Sequence, residues 1–416
     1  MLNDALHADV RARFAHVDAC PLTGPRIFFE NAGGALTLKS VVETSAFYAA
    51  IPDNQGRDNG AAHALMATIA KAKADMAVLF NAGSGRFFVG ESGTELLFRL
   101  IRNAIAAQPG PVIGATVEHP ATRSAAQHWA GILGRRYIAI KHDDARGLIT
   151  PDAYAAAVTP DTAVATILHT SPVTGMGMDV AGICAAIRAV APGAFIIVDG
   201  IQHACHGAID IDAYDVDGYV ISPYKMFSRH GYGIAWVSDR LTDAPHERLI
   251  GSPPETWEFG TRDTGAYATM SDVVAYFEWL GERVSDTPDR RAKIEAAGRA
   301  IHAHERTLTD AALHGVDNLP GLAELPGVTI IGGVENAARE GLVSFMIEGL
   351  PAANIVATLN DEGVRTHTRK ADHYSGNILT PLGADACVRV SFCHYNTRAE
   401  VARLLSVVGR LREAGQ

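Results

Sequence analysis

The sequence predicts an α/β fold: a large domain with a mostly parallel sheet covered by helices on both faces, then a smaller α+β C-terminal domain. Three observations predict it. Apolar strand-like runs alternate with helical patterns up to about residue 284. The residues suited to chemistry (Thr94, His119, His169 and Asp199) follow those runs directly, where parallel sheets bind ligands. Past residue 285 the alternation gives way to a shorter mixture of strands and helices. The reading is residues 1–20 as an N-terminal helical segment, 21–284 as the large domain and 285–416 as the small one, divided near Val284-Ser285-Asp286-Thr287-Pro288.

In chain order, Leu6, Val10 and Phe14 recur every fourth residue and predict a short amphipathic helix. Ile27-Phe28-Phe29-Glu30 is a short strand that runs into Asn31-Ala32-Gly33-Gly34, where the glycines allow backbone to approach a ligand closely. Ala61 to Leu79 is an alanine-rich helix. Arg86-Phe87-Phe88-Val89 is a strand, and Gly93-Thr94 then leads into a helix from Leu96 to Ala107. Free N–H groups, a hydroxyl and the positive helix end together suit a phosphate, and an ordinary threonine N-cap is the plain alternative. Strands follow at Pro111 to Ala115, Tyr137 to Ile140, Thr162 to Leu168 and Phe195 to Val198, with helices between. Ser271 to Leu280 and Asp289 to Leu313 read as helices; Val328 to Ile331, Leu342 to Ile347 and Val388 to Phe392 read as strands, and Thr397 to Leu411 as a closing helix.

The centre of the reading is Lys225, placed in Ser222-Pro223-Tyr224-Lys225 after the apolar run Gly218 to Ile221. The preceding strand delivers Asp199, followed by Gln202. One strand delivering an aspartate and the next a lysine suits pyridoxal phosphate. The amine forms a Schiff base with the aldehyde, and the carboxylate pairs with the pyridinium nitrogen.

Composition excludes several classes. Net charge is −10, against a general nucleic-acid or anionic-membrane binder, and no apolar run approaches a membrane span. The first residues lack a basic region and an apolar stretch, so no signal peptide is expected. Five cysteines without paired spacing fit a reducing cytoplasm. His203, Cys205 and His206 match no strong zinc pattern, so no metal is expected, and no G-x-G-x-x-G follows the first strand.

With Asp199, Gln202 and Lys225 in place, nearly the whole chain resembles the class V aminotransferase group of fold-type I pyridoxal phosphate enzymes, most closely its cysteine desulfurase-like branch. The resemblance implies a seven-stranded-type large sheet and a pyridoxal 5'-phosphate cofactor. It implies that Asp199 holds the pyridinium nitrogen, Gln202 donates to the ring oxygen and His119 stacks on the ring. Gly93, Thr94 and Ser222 match phosphate contacts, as does Tyr224, which stands where desulfurases usually carry histidine. Thr170 or Ser171 is expected to cover a ring-oxygen contact, because Pro172 stands where that branch usually has asparagine. Phe259-Gly260-Thr261 resembles the loop that reaches a partner subunit's phosphate, which implies a homodimer with its active sites at the interface. Arg389 matches the arginine that grips a substrate carboxylate, and Asn31, Arg365 and His373 complete the expected substrate contacts. Lys225, Asp199 and His119 are the expected catalytic groups.

The branch's nucleophilic cysteine is missing. The stretch Arg365 to Asn377 reads as a polar loop with Lys370 at that position, and no cysteine lies between Arg365 and Ala386. The expected activity is therefore desulfurase-like, C–S or β-elimination lyase chemistry on a small amino acid without a loop thiolate. Transamination and epimerisation are the alternatives, and a non-catalytic cofactor-binding protein is opposed by the intact Lys225, Asp199, His119 and Arg389.

Overall fold

The computed structural model describes residues 2–414. Its large sheet has seven strands in the order Arg86–Gly90, Gly233–Val237, Gly218–Ile221, Phe195–Asp199, Val164–Leu168, Val112–Ala115, Tyr137–Ile140. All pairings are parallel except the two made by Gly233–Val237, which runs antiparallel to both neighbours. Val164–Leu168 and Phe195–Asp199 are buried along their whole length. Unbroken apolar runs belong in strands covered on both faces, which is why they carry no alternation. Helix Gly93–Ala107 lays Leu96, Leu97, Leu100, Ile101 and Ala104 on one face of the sheet. Gly233 is required where this helix begins: a Cβ there would stand 2.4 Å from the Ser92 carbonyl carbon.

The second core lies around an antiparallel four-stranded sheet, Val328–Ile330, Leu342–Ile347, Ala386–Ser391, His367–Lys370. Helix Arg290–His314 spans both cores. Its Ile294, Ala297 and Ile301 pack with the large-sheet residues, and its Leu308, Ala312 and Leu313 pack with the smaller sheet. Ile27–Phe28 pairs in parallel with Val364–Arg365, so the chain before the large sheet docks on the small one. The helix Asp4–Arg13 buries Leu6 and Val10, and Phe14 is buried just past its end.

Several elements differ from the sequence expectation. Helices Lys39–Ala49 and Pro151–Ala157 are among those it does not predict, both being short segments of weak pattern. The stretch taken as a polar loop is largely structured: His367–Lys370 is an edge strand paired to the strand that carries Arg389. Charged side chains at an edge strand look like a loop in sequence, since only one neighbour and one face constrain them.

Candidate active site

Lys225 lies in a 3-10 turn that follows the strand Gly218–Ile221. Two residues on, Phe227 holds φ 64°, a left-handed conformation that costs a bulky residue about 1–2 kcal/mol. The ring of Phe227, buried against Phe14, Tyr276 and His394, and a bond from the Leu38 N–H to its carbonyl (2.9 Å) offset that strain. The turn that presents the lysine is thus set by packing from distant segments. Its Nζ donates to Gln202 Oε1 at 3.3 Å.

Two cavities meet at Lys225. The inner one is lined by Thr94, His119, Thr170, Asp199, Gln202 and Ser222, with Tyr224. The outer one, about 470 Å³, is lined by Glu30, Gly33, Arg369, Lys370, Tyr374 and Arg389 among others. A larger cavity of about 690 Å³ on the other side of the edge strand, beside Arg26, Asn360 and Arg365, does not include Lys225. The two that share Lys225 are the ones with groups suited to chemistry.

In the inner cavity Asp199 is 1% exposed. Its two oxygens accept from the Thr122 hydroxyl at 3.0 Å and the Ile201 N–H at 3.1 Å. Burial pushes the carboxyl up, opposed by those two bonds and by Lys225. A cationic partner would complete its pairing. His119 caps the helix Pro120–Ile132: its Nδ1 accepts from the Ala121 N–H at 3.2 Å. Burial first, then Lys225, Arg369 and Arg123, push the imidazole down to about 3, so it is neutral at physiological pH. Ser92, not Thr94, caps the helix Gly93–Ala107, leaving Gly93 and Thr94 in its first turn at the cavity. A Cβ at Gly93 would fall 2.5 Å from Ser222 Oγ. A narrow, glycine-lined helix start beside a serine hydroxyl has the geometry that suits a phosphate. The buried carboxylate, the lysine and the cradle together fit pyridoxal phosphate.

In the outer cavity Arg389 is 3% exposed and donates through Nη1 to the Pro172 carbonyl at 3.1 Å. Burial and neighbouring Arg369 push its guanidinium down to about 9.

The remaining expected residues are distributed unevenly. Thr170 lines the inner cavity, but its hydroxyl donates to Glu340 Oε2 at 2.7 Å. The Tyr224 ring stacks on His230 with centroids 4.3 Å apart. Asn31 lies beneath the cleft: its Nδ2 donates to the Ser391 carbonyl at 2.7 Å, and its Oδ1 accepts from the Tyr395 hydroxyl. Arg365 pairs with Glu30 at 2.9 Å and lines the larger cavity instead. His373 and Thr261 are exposed and line neither cavity of this chain. Sequence reasoning missed Thr122 and Glu118. Thr122 lies three residues after the helix-capping His119, a spacing that returns a side chain to the same helix start. Glu118 is fully buried and bonded by the Thr166 hydroxyl at 2.8 Å, and burial raises it to about 8. No cysteine lines either cavity: Cys184, Cys205, Cys387 and Cys393 are buried, and Cys20 lies on a two-residue strand near the N-terminus. Among the described residues no group of three or more histidine, cysteine or acidic side chains is arranged to hold a metal ion, and no helix is long and apolar enough to cross a membrane.

The family model described as aminotransferase class V matches residues 27–404. The chain belongs to the class V aminotransferase family. It is a pyridoxal phosphate-dependent enzyme of the fold-type I architecture. Among its relatives, a probable cysteine desulfurase of Xylella fastidiosa (strain Temecula1) is 27% identical, covering 99% of this chain and 95% of its own. A probable cysteine desulfurase of Mycolicibacterium paratuberculosis is 28% identical over 94% of this chain, which spans only 56% of that protein. The solved structure of the cysteine desulfurase CsdA from Escherichia coli superimposes with a TM-score of 0.79 at 25% identity, covering 100% of this chain and 99% of that one. An aminotransferase-like protein, FGM3, of Gibberella zeae is 27% identical over 78% of each chain.

Proposed function

We propose that this class V enzyme is a lyase of the cysteine desulfurase-like type, cleaving a C–S or other β-bond of a small amino acid without a cysteine nucleophile. The carrying observation is the arrangement around Lys225: a cofactor-sized set of contacts on one side, a guanidinium on the other, and no thiol on either wall. When bound, the cofactor supplies an electron sink for charge developing at the substrate's α-carbon. The rest is done by the chain. Asp199 keeps a proton on the ring nitrogen, because a buried carboxylate favours a cation beside it. Gly93, Thr94 and Ser222 take the phosphate. Neutral His119 offers a flat face, and Gln202 an amide to the ring oxygen. Arg389 takes the substrate's α-carboxylate in a bidentate grip. Lys225, pushed down to about 8 by burial and then Arg389, is partly unprotonated near neutrality, so Nζ can accept the α-proton and return it.

Thr261, exposed on a loop, contributes across a homodimer interface to the partner's phosphate. Transamination is the second reading, supported by the missing thiol and by the aminotransferase-like relative. Keto-acid release separates the two. β-Elimination releases the β-leaving group (a thiol, for a C–S bond), keto acid and ammonia from amino acid alone, whereas keto-acid release that requires a keto-acid acceptor establishes the transaminase reading. Neither product from any amino acid refutes both.

A further inference from the structure

The outer cavity holds more positive charge than an α-carboxylate needs. Lys225, Arg369, Lys370 and Arg389 line it, with Glu30 and Asp372 as its carboxylates. Glu30 is already engaged, by Arg365 at 2.9 Å and His367 at 3.4 Å. Asp372 is exposed and accepts from the Tyr374 N–H at 2.8 Å. Among the described residues, neither Arg369 nor Arg389 has a carboxylate oxygen within 4.0 Å.

The backbone register explains why the two arginines face the same space. On the paired strands, His367 opposes Arg389 and Arg369 opposes Cys387. Side chains two apart on a strand share a face, so Arg369 and Arg389 are diagonal neighbours above Lys225. Like charges at that separation repel, and burial adds a desolvation cost. Arg339 shows how this chain satisfies a buried guanidinium that has no ligand role. That side chain is fully buried and donates to three carbonyls, those of Thr174, Leu342 and Gly333. Arg389 has a single such bond, and Arg369 only a long one of 3.5 Å to the Tyr374 carbonyl. The Nε atoms of all three are buried without a partner, so the difference lies in the terminal nitrogens, which carbonyls hold in Arg339 and leave largely free in Arg369 and Arg389. The phosphate cradle does not account for the surplus, since Thr94 and Ser222 line the inner cavity and neither arginine does.

We propose that Arg369 is a second anion site beside Arg389, and that the preferred substrate is an amino acid whose side chain carries a carboxylate. This rests on the reading that the outer cavity receives an amino acid whose α-carboxylate is held by Arg389. Arg369 takes the distal carboxylate, and the paired charges offset each other. A carboxylate joined through a thioether satisfies Arg369 while presenting a C–S bond at the β-carbon. Glutamate satisfies it without one.

The test uses the holoenzyme and the cofactor's visible absorbance, so it reads binding whether or not turnover follows. S-carboxymethylcysteine and S-ethylcysteine differ little in size but by one negative charge. Each is titrated against wild type, Arg369→Gln and Arg369→Lys, with retention of the cofactor band as the check on folding. Wild type is expected to respond to the anionic ligand at a concentration lower by about tenfold or more, the scale of one charge-assisted hydrogen bond. Arg369→Gln is expected to collapse that ratio toward one, and Arg369→Lys to restore part of it. An equal response of wild type to both ligands, or an unchanged ratio in Arg369→Gln, overturns the second anion site and leaves the amino-acid reading standing. Absence of response to these and to all common amino acids overturns that reading and the inference with it.

Discussion

Lys225 is expected to be a liability to the cofactor-free fold, and Lys225→Met should reveal it. Burial, then Arg389 and Arg369, lower its amine from 10.5 to about 8, against which Asp199 and Cys205 pull upward. A shift of that size corresponds to roughly 3 kcal/mol, and the half-buried position discounts it to about 1–2 kcal/mol. The sign follows from proton counting. Below pH 8 the amine is charged in both folded and unfolded chains, and the folded one bears the whole penalty. From pH 8 to 10.5 the folded chain releases the proton first, so wild-type stability rises through that window. Methionine matches the stem in length, carries no charge and forfeits the long bond to Gln202 and the attraction to Asp199, the latter already contained in the net shift. The cofactor-free variant should therefore unfold at higher urea at pH 7, by an amount equivalent to about 1–2 kcal/mol, and the gap should close as pH approaches 10. The same variant should lose the visible cofactor band and turnover. A variant less stable than wild type at pH 7, or a gap that ignores pH, would refute the electrostatic account of Lys225. A variant that keeps band and turnover would remove the lysine from the chemistry altogether.

Replacing all five cysteines by alanine or serine should leave cofactor absorbance and most turnover intact once folding is confirmed, because none lines the two cavities at Lys225. Loss of turnover with retained absorbance in Cys387→Ala or Cys393→Ala alone would reinstate a thiol nucleophile. Thr261→Ala should weaken cofactor retention by about tenfold to a hundredfold, the range of one hydrogen bond to a charged group. Sedimentation on dilution should show wild-type cofactor loss tracking dissociation to monomers, and a monomer that keeps its full complement would contradict the shared site.

Much of this enzyme is legible along the chain. The α/β alternation, the strand-end Asp199, the helix-start Gly93-Thr94 and the turn holding Lys225 depend on local rules: buried strands are unbroken apolar runs, and glycines mark close approach. These rules need only neighbours in sequence, and the family follows from their order. What the tertiary structure decided depends on segments far apart. Asn31 looked like a ligand contact, yet its amide is bonded to Ser391 and Tyr395, more than three hundred residues away. Thr170 looked free for a ring oxygen until Glu340 reached its hydroxyl. The apparent loop of Arg369 became a strand only because Ala386–Ser391 pairs with it, and that pairing sets two arginines side by side. Charge is long-ranged and burial is collective, so whether a guanidinium is neutralised or left to a substrate is a property of the folded surroundings. The sequence determined the order of strands, turns and reactive groups that marks the family, and the packing determined which side chains meet at Lys225 and which of them remain free to act.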